Sequence, residues 1–194
     1  MANYVTEQVE EVFKEKQEWD SFLVLCQNKD AIRNDWYSKL KSKVNEMVKD
    51  SIPSQWGFIS WGIWDYRWFI KDFEKESLCL WFTGNSLRLW ANGDFYDRKK
   101  IFDLLQESKY SLIKSAFDRI DDIFDSTHDW RFIENGNFYF GDPADGRLDT
   151  DKLMWYANYR TEEFAKQIID KVNKFITNPE ITRLFIEINE QSRK

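Results

Sequence analysis

Between Trp56 and Ala91 the apolar residues follow a strand-like pattern through four consecutive runs, 56–63, 66–71, 77–83 and 86–91. No helical stretch separates them. Strands gathered in a run, rather than alternating with helices, point to an α+β chain built on an antiparallel sheet. Gly84-Asn85, between Thr83 and Ser86, is a two-residue hairpin signal, because both residues tolerate the positive φ that primed turns need. Such a turn sets the register. Thr83 then opposes Ser86, Phe82 opposes Leu87, Trp81 opposes Arg88, Leu80 opposes Leu89, and Cys79 opposes Trp90.

That register sorts the side chains into two faces. Leu80, Phe82, Leu87 and Leu89 make an apolar core face, and Trp81, Arg88 and Trp90 lie opposite. If the 72–76 loop pairs Lys71 with Ser77, Arg67 and Phe69 join the second face. Indoles beside guanidiniums can stack a base or another planar group, at about 1–3 kcal/mol per stacked base. Five amphipathic helices are enough to cover both faces of the sheet, and these tryptophans are then core. Left open, the face is a binding surface. Trp56, Trp61, Trp64 and Trp68 reinforce it only if the same face collects them.

The flanks are helical. Val5, Val9, Val12, Phe13, Trp19, Phe22, Leu23 and Cys26 form one stripe, and a second helix is expected from Ala31 to Lys49 with Asp30 as its N-cap. A helix is expected from Asp97 to Phe117, with Ile101, Leu104, Leu105, Leu112, Ile113 and Phe117 inward. Asn135-Gly136 predicts a second hairpin, folding Trp130–Ile133 onto Asn137–Phe140, and 142–151 reads as an acidic loop. A helix from Thr161 carries Phe164, Ile168, Val172 and Ile176. Asn178-Pro179 restarts the helical pattern toward Ile188. The expected whole is one α+β domain over 1–194: an N-terminal helical pair (1–50), sheet and central helix (55–141), and C-terminal helices (160–194).

Several functions are excluded or disfavoured. One His among 194 residues rules out the H-E-x-x-H zinc hydrolases. Gly57 and Gly62 have P-loop spacing, but Ile63 and Trp64 stand where Lys and Ser/Thr belong. A net charge of −6 argues against broad nucleic-acid binding. The acidic start lacks the apolar region of a signal peptide, and no stretch approaches a membrane span, so a cytoplasmic chain off the membrane is expected. Cys26 and Cys79 are expected as buried thiols rather than a disulfide. No cofactor is expected.

The acidity is local. Residues 118–151 hold ten acids and three bases, a net of −7 against −6 for the chain, so the remainder is close to +1. Asp118, Asp121, Asp122, Asp125 and Asp129 are the candidate surface for a basic partner, unless they form a merely solvated face. Asp142, Asp145, Asp149 and Asp151 are weak metal candidates, since the acid–glycine order resembles a calcium loop without its one-three-five spacing. His128 lies between Asp125 and Asp129, but no nucleophile accompanies it. Arg98-Lys99-Lys100 at a helix start is either solvated or anion-binding.

Strand Leu87-Arg88-Leu89-Trp90, the helix reading Lys99-Lys100-Ile101-Phe102-Asp103-Leu104-Leu105, the hairpin around Trp130 and the final helix together resemble a known element order. It is that of an uncharacterised bacterial α+β domain that often follows PD-(D/E)XK-type nuclease cores in restriction and defence proteins. The resemblance spans roughly 55–177 and implies an accessory role beside a nuclease, with no catalytic residues carried over. The nuclease core is missing, because Asp72-Phe73-Glu74-Lys75 has the wrong spacing and falls in a turn.

The expected function is therefore a non-catalytic interaction or regulatory module of a bacterial or phage nuclease or defence context, with a protein partner. It would use the aromatic sheet face as anchor and the acidic surface for steering. The alternatives are a metal-dependent nucleotide- or nucleic-acid-processing enzyme using the 118–151 carboxylates, and a nucleotide or single-stranded DNA binder on Trp81, Arg88 and Trp90.

Overall fold

A computed structural model describes residues 12–120, 129–132, 137–141 and 146–194. The fold is α+β, with an antiparallel sheet at its centre. Strands β1 (Trp56–Trp61), β2 (Asp65–Ile70), β3 (Cys79–Thr83) and β4 (Ser86–Trp90) form the expected meander. β5 (Phe117–Ile120) and β6 (Asp129–Phe132) extend it, giving the order β1-β2-β3-β4-β6-β5. The β3–β4 register matches the hairpin reading pair for pair, and Gly84 adopts a φ of 59° at the turn.

Alternation then sets the core. Trp56, Tyr66, Trp68, Ile70, Leu80, Phe82, Leu87 and Leu89 are all buried on one face. Three helices supply the opposing surface: α1 (Lys16–Ser51), α5 (Thr161–Ile176) and α6 (Pro179–Ser192). Trp56 packs edge-on against Phe185, and its Nε1 donates to Thr182 Oγ1 at 3.0 Å. Asn189, fully buried in α6, accepts from the Leu78 N–H at 2.7 Å and donates to the Leu78 carbonyl. A buried amide thus satisfies the backbone where β3 begins.

Four expectations are corrected. The two N-terminal helices are one, because the stripe never loses phase: Phe22 and Leu40 are eighteen residues, about five turns, apart. Asp30 is no cap and pairs with Arg33 at 2.8 Å. The helix expected over 97–117 stops at Gln106 (α2, Arg98–Gln106), passes through a 3-10 turn at Ser108–Tyr110, and resumes briefly as α3 (Ser111–Lys114). The Ile101/Leu104/Leu105 stripe would next need apolar residues at 108 and 109, where Ser108 and Lys109 stand. The break turns Tyr110 and Ile113 inward, leaves Leu112 exposed and puts Phe117 in a strand.

The second hairpin also pairs differently. β6 lies between β4 and β5, with Leu89 opposite Trp130, while β7 (Asn137–Phe138) pairs with β8 (Gly146–Arg147). Phe138 and Phe140 are drawn into an aromatic cluster with Phe82, Phe164 and Tyr156. The expected Asn135-Gly136 turn itself lies outside the described residues. Finally, α4 (Thr150–Tyr159) follows the acidic loop directly, with Asp149 capping it through the Lys152 N–H. No helix among the described residues is long and apolar enough to cross a membrane.

The Asn189 bridge yields a direct test. Asn189→Ala orphans the Leu78 N–H and should lower unfolding stability by about 1–3 kcal/mol in urea denaturation. Asn189→Asp, which keeps one acceptor, should lose less at pH 4 than at pH 7.

Candidate interaction surface

The second face of the meander has its own organisation. Arg67 faces Trp81 across β2–β3, Trp81 faces Arg88 across β3–β4, and Phe69 and Trp90 both flank Cys79. The Arg67 guanidinium lies 4.0 Å from the Trp90 ring centroid, 5.2 Å from Trp61 and 5.7 Å from Trp81. Trp81 and Trp90 meet edge to face at 6.0 Å and 62°. A single cation is thus held by three indoles, an arrangement favoured by the negative faces of the rings.

The charge is only loosely paired. Arg67 Nη1 lies 3.8 Å from Glu76 Oε1, and the other Glu76 oxygen accepts from Asn92 Nδ2 at 2.8 Å. The Arg67 side chain is 13% exposed, and its Nε, like Trp81 Nε1, is buried without a hydrogen-bond partner among the described residues. Arg67 is therefore a pillar that orders the rings rather than a group reaching outward.

The described helices that pack on the sheet do so on the Trp56/Tyr66/Trp68 side, so among the described residues no helix covers the second face. Trp81, Arg88, Trp90, Arg67 and Phe69 are all half-buried. The remaining tryptophans divide. Trp56 and Trp68 belong to the core, and Trp64 sits in the β1–β2 turn against Tyr37 and beneath Arg33. Of these four, Trp61 joins the surface cluster. It is 49% exposed, with Lys75 Nζ 4.9 Å from its ring. Pairing of β1 with β2, Trp61 opposite Asp65, is what brings it there.

Phe69 plays another part. It lies over Gly57, where an added Cβ would sit 2.6 Å from its ring. The phenyl covers backbone that a side chain would otherwise shield, so Phe69 is a packing residue of this face.

The acidic candidates separate less fully. The side chains of Asp118, Asp121, Asp122, Asp125 and Asp129 lie outside the described residues, as do His128, Asp142 and Asp145. Asp149 is occupied as the α4 cap, and Asp151 pairs with Lys29 at 2.6 Å. Among the described residues no three acidic, His or Cys side chains gather as a metal site. In the basic run, Arg98 Nε donates to the Ala91 carbonyl at 2.7 Å and Lys99 pairs with Asp103. Both serve local structure.

The two thiols are free, as expected, but only Cys79 is buried; Cys26 is exposed on α1. Burial pushes the Cys79 thiol up to about 12, against a partial lowering by the Arg67 charge. Burial likewise raises Tyr37 and Tyr66. No protein-family model, curated protein or solved structure matches the chain.

Two outcomes are expected. A disulfide reagent should modify Cys26 rapidly and Cys79 only on unfolding, giving one fast and one protected thiol. Groups whose folded pKa is raised stabilise the protein below their unfolded values, so stability should fall as pH rises from about 9 toward 12. Urea midpoints across that range check the sign. A flat profile would contradict the burial of Cys79, Tyr37 and Tyr66.

Proposed function

We propose that this chain is a non-catalytic interaction module whose anchor is the Trp61–Arg67–Trp81–Trp90 face of the sheet, and that its partner is a protein. The observation that carries this reading is an exposed Trp61, backed by cations, on the face of the sheet opposite the packed helices. A large rigid ring with a desolvated guanidinium beneath it has the composition of an interface hot spot. Lys75 and the exposed edge of Trp61 fit a partner surface that offers carboxylates beside apolar side chains.

The acidic 118–151 segment supports a steering role toward basic surfaces, so one partner with both charge signs, or two partners, would suit it. The resemblance of residues 55–177 to a domain that accompanies nucleases supports placing the module beside a bacterial or phage nuclease or defence protein. The nucleotide-stacking alternative is weaker. Trp81 and Trp90 close on each other edge to face, and Arg67 occupies the ring face that a base would need. For the metal-enzyme alternative, two of the candidate carboxylates are already engaged, Asp149 by a helix cap and Asp151 by Lys29.

The test compares wild type with Trp61→Ala/Lys75→Ala in affinity capture from the source organism's lysate, with circular dichroism confirming both folds. Wild type should retain a discrete protein that the variant loses. Identical capture by both proteins would remove this face from the function. Quenching of tryptophan emission by mononucleotides or short single-stranded DNA would favour the stacking alternative instead.

A further inference from the structure

The long helix α1 uses one face twice. From Tyr37 onward that face is buried, with Tyr37, Leu40, Val44 and Val48 in the core and Tyr37 Oη donating to the Thr150 carbonyl at 2.8 Å. The first four turns, Lys16 to Asp30, run about 22 Å beyond this anchored part. Every residue of this overhang is exposed. Yet it carries Trp19, Phe22, Leu23, Val24, Leu25 and Cys26, the first five 37–58% exposed. Trp19, Phe22 and Cys26 share the helix face of Leu40 and Val44, because the apolar period holds through the whole helix. A core-type face thus continues past the end of the core.

Charge on that face shows what fits it. In order along this face, from the N-cap to just past the overhang, stand Glu15 and Glu18, then Trp19, Phe22 and Cys26, then Lys29 and Arg33. The face is acidic at its start, apolar in the middle and basic at its end, which makes it complementary to itself only when reversed. A parallel pair would set Glu against Glu and Lys against Lys. Lys29 and Arg33 retain 50% and 27% side-chain exposure beside their contacts with Asp151 and Asp30, and so are within reach of a neighbour.

We propose that the overhang of α1 is a self-association element that packs antiparallel on the same segment of a second copy, about a two-fold axis near Val24. Phe22 of each copy meets Cys26 of the other, Trp19 covers the Lys29 stem, and Glu15 and Glu18 approach Arg33 and Lys29. The interface is isologous, as a two-fold requires. Four turns per copy fall short of the roughly 800 Å² per partner of a standard stable interface, so the dimer is reversible and depends on concentration. This inference is independent of the sheet face.

Sedimentation equilibrium over a concentration series reads it directly. Wild type should fit a monomer–dimer equilibrium, and Phe22→Glu, at an exposed position, should raise the dissociation constant by about tenfold or more with unchanged helicity. Oxidative cross-linking gives a second readout. A Phe22→Cys/Cys26→Ser variant mixed with wild type should form a mixed disulfide dimer through Cys26 of the wild-type copy. Monomeric wild type at every concentration, or a dimer indifferent to Phe22→Glu, would overturn the proposal and leave the face to a different protein. Efficient Cys26–Cys26 cross-linking of wild type would overturn the antiparallel register.

Discussion

Alternation along a meander of fixed register is the constraint on which the other features rest. Once Gly84 closes the β3–β4 turn at positive φ, Leu80, Phe82, Leu87 and Leu89 must lie on one side and Trp81, Arg88 and Trp90 on the other. Pairing of β2 with β3 carries the same parity across to Tyr66 and Trp68 on the first side and Arg67 on the second. A slip of one residue would exchange the faces, placing Arg67 under the helices and Tyr66 and Trp68 in solvent. The burial of Tyr66, Trp68, Leu80, Phe82, Leu87 and Leu89 therefore holds the surface cluster in place without touching it.

The cluster itself is a compromise between packing and charge. Three indoles around one guanidinium recover part of the hydration that Arg67 gives up, but a buried Nε and a 3.8 Å approach to Glu76 leave it short of full compensation. Such an arrangement stabilises less than an aliphatic replacement of the same volume could. It does fix ring orientations, which flexible aliphatic side chains would not.

Local signals were legible where a single pairing decides the outcome. The Gly84-Asn85 turn set the β3–β4 register, and the parity that a Lys71–Ser77 pairing would give Arg67 agrees with the β2–β3 ladder, which ends at Phe69 opposite Cys79, because each depends on residues close in the chain. The departures arose where distant burial competes with a local preference. The strands flanking Asn135-Gly136 do not pair with each other: Phe138 and Phe140 pack on Phe82, Phe164 and Tyr156, and β6 lies between β4 and β5. Trp61 stood beside Trp56, Trp64 and Trp68 without an assigned face, because that face depends on the β1–β2 register, set by a three-residue loop containing Gly62 at positive φ rather than by a two-residue turn. The candidate surface was thus half readable, with its cationic and inner aromatic members assigned to a face and its most exposed ring left without one.

The undivided α1 shows why a plausible local boundary can be overridden. Asp30 has the chemistry of an N-cap, but a cap acts only where the preceding residues leave the helical conformation, and nothing from Lys29 to Ala31 breaks it. With the apolar phase continuous, tertiary packing of Tyr37, Leu40, Val44 and Val48 fixes the axis of the second half and so aims the first. An isolated segment of about fifteen residues is marginal as a helix in water; joined to an anchored one, it avoids the cost of nucleation. The core thus props up a helical rod beyond its own edge. Anchoring accounts for the shape of that rod, whereas its apolar face meets the Phe13 ring at Trp19 and Phe22 and still leaves those two, Leu23, Val24 and Leu25 37–58% exposed.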